Sequence, residues 1–113
     1  MAESALDALL ARDAEERCRD ALHRASLALD ALAGLGIEAR LVGSLARGGF
    51  ARHSDIDILI LACPPDWRYR LECVVEDDVG GFPFDVIYLD EVKPHRRERL
   101  IMEARDAPDL CRP

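Results

Sequence analysis

Long apolar runs are missing from this sequence of 113 residues. The longest covers residues 58–63, whereas a helix needs roughly 20 apolar residues to span a bilayer. The first residues also lack the basic segment and apolar stretch of a secretory signal. The four cysteines show no CxxC spacing of the kind that binds metal or forms a redox pair. We therefore expect a cytoplasmic protein with reduced thiols and no membrane segment.

Positive charge is scarce. The chain has 15 Lys and Arg residues against 22 Asp and Glu residues, a formal net charge of −7, and Lys93 is its single lysine. A surface of this kind repels the phosphate backbone of DNA or RNA. We therefore expect no direct binding of nucleic acid.

The length leaves no room for a second domain. Half of the residues are hydrophobic, and a domain of this size buries roughly two thirds of the surface that its unfolded chain exposes. That is enough for a core without disulfides or a structural metal. We expect a single domain over residues 1–113, without an additional domain to hold an acceptor molecule.

The apolar spacing predicts the elements of a mixed α/β (α+β) fold. The first helix would follow a capping box at Ser4 and Asp7 and stop at Gly34 and Gly36; its length leaves room for a break. Asp66 is a plausible N-cap of the next helix, although the alternation over residues 69–75 would equally suit a strand. The predicted elements are helices over about 5–35, 67–79 and 94–105 and strands over 37–42, 56–62 and 83–89, with the motifs in a core over 37–90.

These elements predict a small mixed sheet of three to four strands with helices packed on one face. Two aspartates fall at the start of its second strand. Residues two apart on a strand point to the same face, roughly 6.5 to 7 Å from each other, so Asp55 and Asp57 converge on one spot. Two carboxylates that close repel each other, and a hard divalent cation such as Mg²⁺ is the usual remedy. The alternative is that both lie at the solvated mouth of the strand.

A glycine turn precedes this pair. Gly43 and Ser44 come directly out of the first strand and open a helical turn, in which free backbone N–H groups and a hydroxyl can bind phosphate oxygens. Gly43 permits a close approach that a side chain would block. Carboxylates that bind metal beside a phosphate site indicate a polyphosphate bridged by the metal.

The stretch from Gly43 to Asp57, GSLARGGFARHSDID, resembles the GSxxRG(x5)SDxD signature of the nucleotidyltransferases in the DNA polymerase beta superfamily. Every fixed position is present. Farther along, residues 64–65, 81–87 and 97–101 resemble the order seen in minimal nucleotidyltransferases, the short members with one domain. The resemblance covers residues 37–104 and leaves the first helix without a motif.

The resemblance implies a nucleotidyltransferase fold and a set of roles. Asp55, Asp57 and Asp85 would be the catalytic carboxylates and would bind one or two Mg²⁺ ions, with Asp85 also a possible general base. Asp77, Asp78 and Asp90 compete with Asp85 for the third position, but they flank turns. The phosphates of a nucleoside triphosphate, most simply ATP, would lie against Gly43, Ser44 and Arg47.

Two residues within the motif stretch keep a second interpretation. Arg47 could instead pair with a carboxylate in a structural role, and His53 could contact phosphate or face solvent.

The four cysteines fit small buried hydrophobic residues.

The resemblance also implies a partner. Minimal nucleotidyltransferases are commonly antitoxins of toxin–antitoxin pairs, whose partner is a helical HEPN ribonuclease that some of them adenylylate. A protein hydroxyl on a separate chain is therefore the expected acceptor. Two alternatives stay open, namely an antitoxin that neutralises its partner by binding alone and a small-molecule nucleotidyltransferase completed by oligomerisation.

Overall fold

A computed structural model describes residues 4–50 and 54–106 of the chain. Its first element is one continuous helix, α1 (Ala5–Gly34). The Ser4 hydroxyl accepts a hydrogen bond from the backbone N–H of Asp7 at 3.1 Å, which satisfies one of the free donors of the first turn. Gly36, with φ +79°, follows the last turn. The predicted long helix is confirmed, without a break.

Three strands form the predicted mixed sheet: β1 (Ala39–Val42), β2 (Ile56–Ile60) and β3 (Phe84–Tyr88), in the order β1-β2-β3. β1 and β2 are antiparallel, whereas β2 and β3 are parallel. Arg105 forms an antiparallel bridge with Leu41 on the free edge of β1. The structure thus confirms a mixed α/β fold with a small sheet.

The other α-helices within the described residues are α2 (Gly43–Arg47), α3 (Arg68–Val79) and α4 (Pro94–Glu103). Residues 69–75 are helical, and α3 ends at Gly80 in the left-handed region. The prediction that Asp66 is the N-cap of this helix was wrong. It lies inside a 3₁₀ turn (Pro65–Trp67) that runs directly into α3, whose N-cap is Trp67 with no capping hydrogen bond from a side chain. Pro65 starts this turn two residues before the predicted helix start at 67, because its fixed φ suits a first helical position.

The core lies between one face of the sheet and the helices α1 and α3. Alternate residues of the strands point into it, and the two helices contribute apolar residues from facing sides. Its fully buried members include Leu41, Ile56, Ile58, Leu71 and Val75. Asp57 and Leu59 alternate to the opposite face of β2.

The first three turns of α1 take no part in this packing. Every buried residue of the helix lies between Ala21 and Leu32, whereas residues 5–16 are all exposed. In the described part of the chain, no helix has the length and apolar character that crossing a membrane requires.

Candidate functional site

Three segments meet at one end of the sheet, where β1 runs into α2 and where β2 and β3 begin. Val42 pairs with Asp57, and Asp57 in turn pairs with Asp85. Partners on neighbouring strands lie roughly 4.8 Å apart and point to the same face. The sheet register therefore places Asp57 and Asp85 side by side, and Asp55 precedes β2 two residues before Asp57.

Gly43 lies directly against the Asp57 side chain. A Cβ atom added at this glycine would overlap Oδ2 of Asp57 and lie 3.1 Å from its Cγ. The backbone at Gly43 has φ +80°, which L side chains rarely adopt. Glycine is therefore required here for two reasons, and the neighbour that needs the close approach is a carboxylate of the same site.

The charges of the predicted site residues act on one another. The pKa of Asp57 is raised from 3.8 to about 6, chiefly by burial and then by the negative charges of Asp85 and Asp55. The Arg47 guanidinium opposes this rise in pKa. Four residues from the motif and from β3 thus share one electrostatic environment, and the ionised Asp57 carboxylate lacks full compensation in it.

Replacing Asp57 by asparagine should raise the melting temperature of the ligand-free protein at neutral pH. A raised pKa means that the folded state holds the proton more tightly than the unfolded chain does. The contribution of this carboxyl to stability is present in full below pH 3.8 and is lost as the pH rises through about 6. Asparagine keeps the shape and cannot ionise, so its advantage should grow over that window.

Calorimetric melting of both proteins across this pH range measures the effect. Asp77→Asn removes the same charge from an exposed position on α3 and serves as the control. A difference between Asp57→Asn and the parent that stays constant with pH would contradict the assignment.

The other two predicted phosphate contacts lie on α2. Ser44 is half-buried in its first turn, and Arg47 is exposed at its end. Arg47 pairs with Glu103 of α4, Nη1 to Oε1, at 3.4 Å. The structural pairing foreseen for Arg47 is therefore present, and its charge still reaches Asp57. Glu103 was missed by sequence reasoning, because it belongs to no motif and lies 56 residues from Arg47.

The competing residues lie elsewhere. Asp90 follows the far end of β3 and pairs with Arg68 at 3.1 Å. Asp77 and Asp78 belong to α3, and His53 lies outside the described residues. Asp85 is therefore the carboxylate that the sheet register places beside Asp57.

The donor set suits a hard divalent cation, since carboxylate oxygens are the ligands that such ions prefer. The burial of Asp57 between two like charges is an arrangement that a cation would relieve. Within residues 4–50 and 54–106, no three His, Cys, Asp or Glu side chains converge closely enough to hold a metal ion as they stand. The fit thus rests on the chemistry of the carboxylates and on their mutual repulsion.

The fold is that of a nucleotidyl-transferring class of protein, and comparison with known proteins agrees. The family model described as nucleotidyltransferase domain matches residues 22–107. The chain belongs to this family. No curated protein matches the sequence at a significant level.

The structural comparison points to the minimal members of the family, which the motif also resembles. A solved structure described as a candidate minimal nucleotidyltransferase is similar to the chain, with 27% sequence identity and a TM-score of 0.58. The match covers 92% of this chain and 97% of that one. The family and fold expected from the motif are therefore confirmed. The family match also begins at residue 22, so it includes the packed half of α1, which the motif comparison had left out.

Proposed function

We propose that the chain transfers a nucleoside monophosphate from a nucleoside triphosphate, most simply AMP from ATP, to a hydroxyl of a partner protein. One observation carries the proposal: Gly43 lies against Asp57, and Asp57 pairs with Asp85. These contacts bring together the glycine turn of the motif, the second aspartate of the motif and a carboxylate on the neighbouring strand. Membership of the nucleotidyltransferase family supports the transfer itself.

Asp55, Asp57 and Asp85 would hold one or two Mg²⁺ ions. A bound Mg²⁺ neutralises charge on the phosphates and lowers the pKa of an attacking hydroxyl. The backbone at Gly43, the Ser44 hydroxyl and Arg47 would orient the triphosphate.

The chemical step balances as a substitution at phosphorus. The acceptor oxygen forms a bond to the α-phosphorus, the bond from that phosphorus to the bridging oxygen breaks, and pyrophosphate leaves. Asp85 is the proposed acceptor of the hydroxyl proton, because it is exposed whereas Asp57 is half-buried. An exposed carboxylate can meet an acceptor that arrives from another chain.

The exposed half of α1 is the proposed docking surface for that acceptor chain. Leu6, Leu9 and Leu10 are 65%, 56% and 57% exposed, whereas Leu71, Val75 and Val79 of α3 are buried in the core. Large apolar side chains grouped on an exposed helix are typical of interaction surfaces. The HEPN-type partner implied by the motif resemblance is the protein that we propose to dock here, in a toxin–antitoxin pair located in the cytoplasm.

Intact-mass measurement tests the transfer. The product of the neighbouring open reading frame, copurified with this chain and incubated with Mg²⁺ and each of the four nucleoside triphosphates, should gain the mass of one or more nucleotidyl residues. Changing Leu6, Leu9 and Leu10 to glutamine should reduce this modification while triphosphate binding persists. A partner that stays bound and unmodified, with the triphosphate unconsumed, would support neutralisation by binding alone.

A further inference from the structure

At the junction between α2 and the end of α4, a residue from outside the motif contacts a residue of the motif. Glu103, the last residue of α4, accepts a hydrogen bond from the Arg47 guanidinium at 3.4 Å. The side chain of Glu103 is 20% exposed, whereas that of Arg47 is 56% exposed. The acceptor of this ion pair is therefore the more enclosed partner, and the flexible guanidinium is the group that gains a fixed position.

Other contacts hold the chain just after Glu103 in place, independently of the Glu103 side chain. Arg105 and Leu41 exchange two backbone hydrogen bonds, of 2.8 and 2.9 Å, on the free edge of β1. The Arg105 guanidinium also donates to the carbonyl oxygen of Ala46 at 3.4 Å. These contacts join the end of α4 to β1 and α2 without the Glu103 side chain. The carboxylate of Glu103 is thus presented from a fixed backbone, and that backbone does not depend on the ion pair.

Arg47 interacts both with this carboxylate and with the site. Its charge acts on Asp57, while its ion pair runs to Glu103. An unanchored Arg side chain samples many rotamers, and binding of a phosphate must overcome the entropy that is lost when one of them is fixed. An anchor that restricts the guanidinium beforehand lowers that cost, as preorganisation does in general.

We propose that Glu103 is a positioning residue, which holds the Arg47 guanidinium at the rim of the carboxylate site, ready to bind the triphosphate. The inference rests on the proposed function, because it assigns Arg47 to the triphosphate. Glu103 itself touches no substrate. It acts through Arg47, and its effect belongs to binding of the triphosphate more than to the chemical step.

Titration calorimetry of the full chain with ATP and Mg²⁺ tests this role. Glu103→Gln should weaken binding about five-fold, the scale of one partly exposed ion pair, and in the transfer assay it should raise KM with little change in kcat. Glu98→Gln is the matched control, since Glu98 is an exposed glutamate of the same helix. It should bind as the parent does.

A double-mutant cycle separates positioning from a general effect on folding. In an Arg47→Met background, Glu103→Gln should cause no further loss of binding, because the residue through which it acts is gone. A five-fold loss that persists in that background, or no loss in the single variant, would overturn the inference while the proposed function stands. A parent chain that binds no triphosphate would overturn both.

Discussion

Replacing Asp55 and Asp57 together by asparagine is expected to abolish the binding of a nucleoside triphosphate with Mg²⁺. The two residues supply carboxylates to one face of the sheet, and Asp57 is the one whose charge is least compensated in the ligand-free protein. Asparagine keeps the size of each side chain and removes the charge that attracts the cation. Loss of partners that merely support metal ligands costs roughly 10- to 100-fold in affinity, so loss of two proposed ligands should exceed 100-fold.

The same double variant should fold as well as the parent or better. Its changes remove the repulsion that raises the pKa of Asp57, and asparagine at 57 still fits beside Gly43 because its volume is unchanged. Loss of binding together with an equal or higher melting temperature would therefore identify a ligand site and not a structural defect.

A charge-matched control sharpens this experiment. Asp66→Asn with Asp77→Asn also removes two carboxylates, from exposed positions on the 3₁₀ turn and on α3. Both double variants therefore change the net charge equally, and the control should retain full binding. Unchanged binding by the Asp55 and Asp57 variant would show that the cation and triphosphate bind elsewhere.

Local patterns predicted much of this molecule, because they depend on neighbours in sequence. The aliphatic run from Ile56 onwards favoured a buried strand, and a glycine turn followed by SDID placed two aspartates at its start. The motif predicted that Gly43 permits a close approach, but it did not predict that the neighbouring group is Asp57. That contact depends on the antiparallel pairing of Val42 with Asp57, which no local pattern reports.

The division of α1 into a packed and an exposed half could not be predicted from its periodicity. Apolar residues recur through the whole helix, and the pattern does not say where the partner surface ends. Geometry does: a helix of 30 residues is about 45 Å long, whereas strands of four or five residues span about 13 to 17 Å. A sheet this short can cover only part of α1, so the rest extends beyond it.

Pairs of residues that lie far apart in sequence could not be predicted either. Glu103 reaches Arg47 across 56 residues of sequence, and nothing about a glutamate at the end of a helix distinguishes it from Glu98, five residues earlier. What distinguishes Glu103 is that Arg105, two residues later, joins the edge of β1. Such a role arises from the folded topology, and a single sequence contains no signal for it.

Asp85→Asn should separate binding from transfer. Asp85 is exposed beside the half-buried Asp57, and it is the carboxylate that we propose to meet an acceptor hydroxyl. Loss of a general base costs typically 100- to 10,000-fold in rate, and we expect transfer of a radiolabelled nucleotidyl group to fall by about that factor. Binding of the triphosphate should weaken less than in the Asp55 and Asp57 variant, because those two carboxylates remain.

Asp90→Asn provides the comparison for this last experiment. Asp90 lies past the other end of β3 and pairs with Arg68, so its loss removes an equal charge from the same part of the chain without touching the site. It should transfer at the parent rate. Undiminished transfer by Asp85→Asn would assign the proton to another acceptor, whereas equal losses of binding and transfer would make Asp85 a metal ligand alone. A loss confined to transfer is the expected result, because the acceptor hydroxyl must give up its proton only as the bond to phosphorus forms.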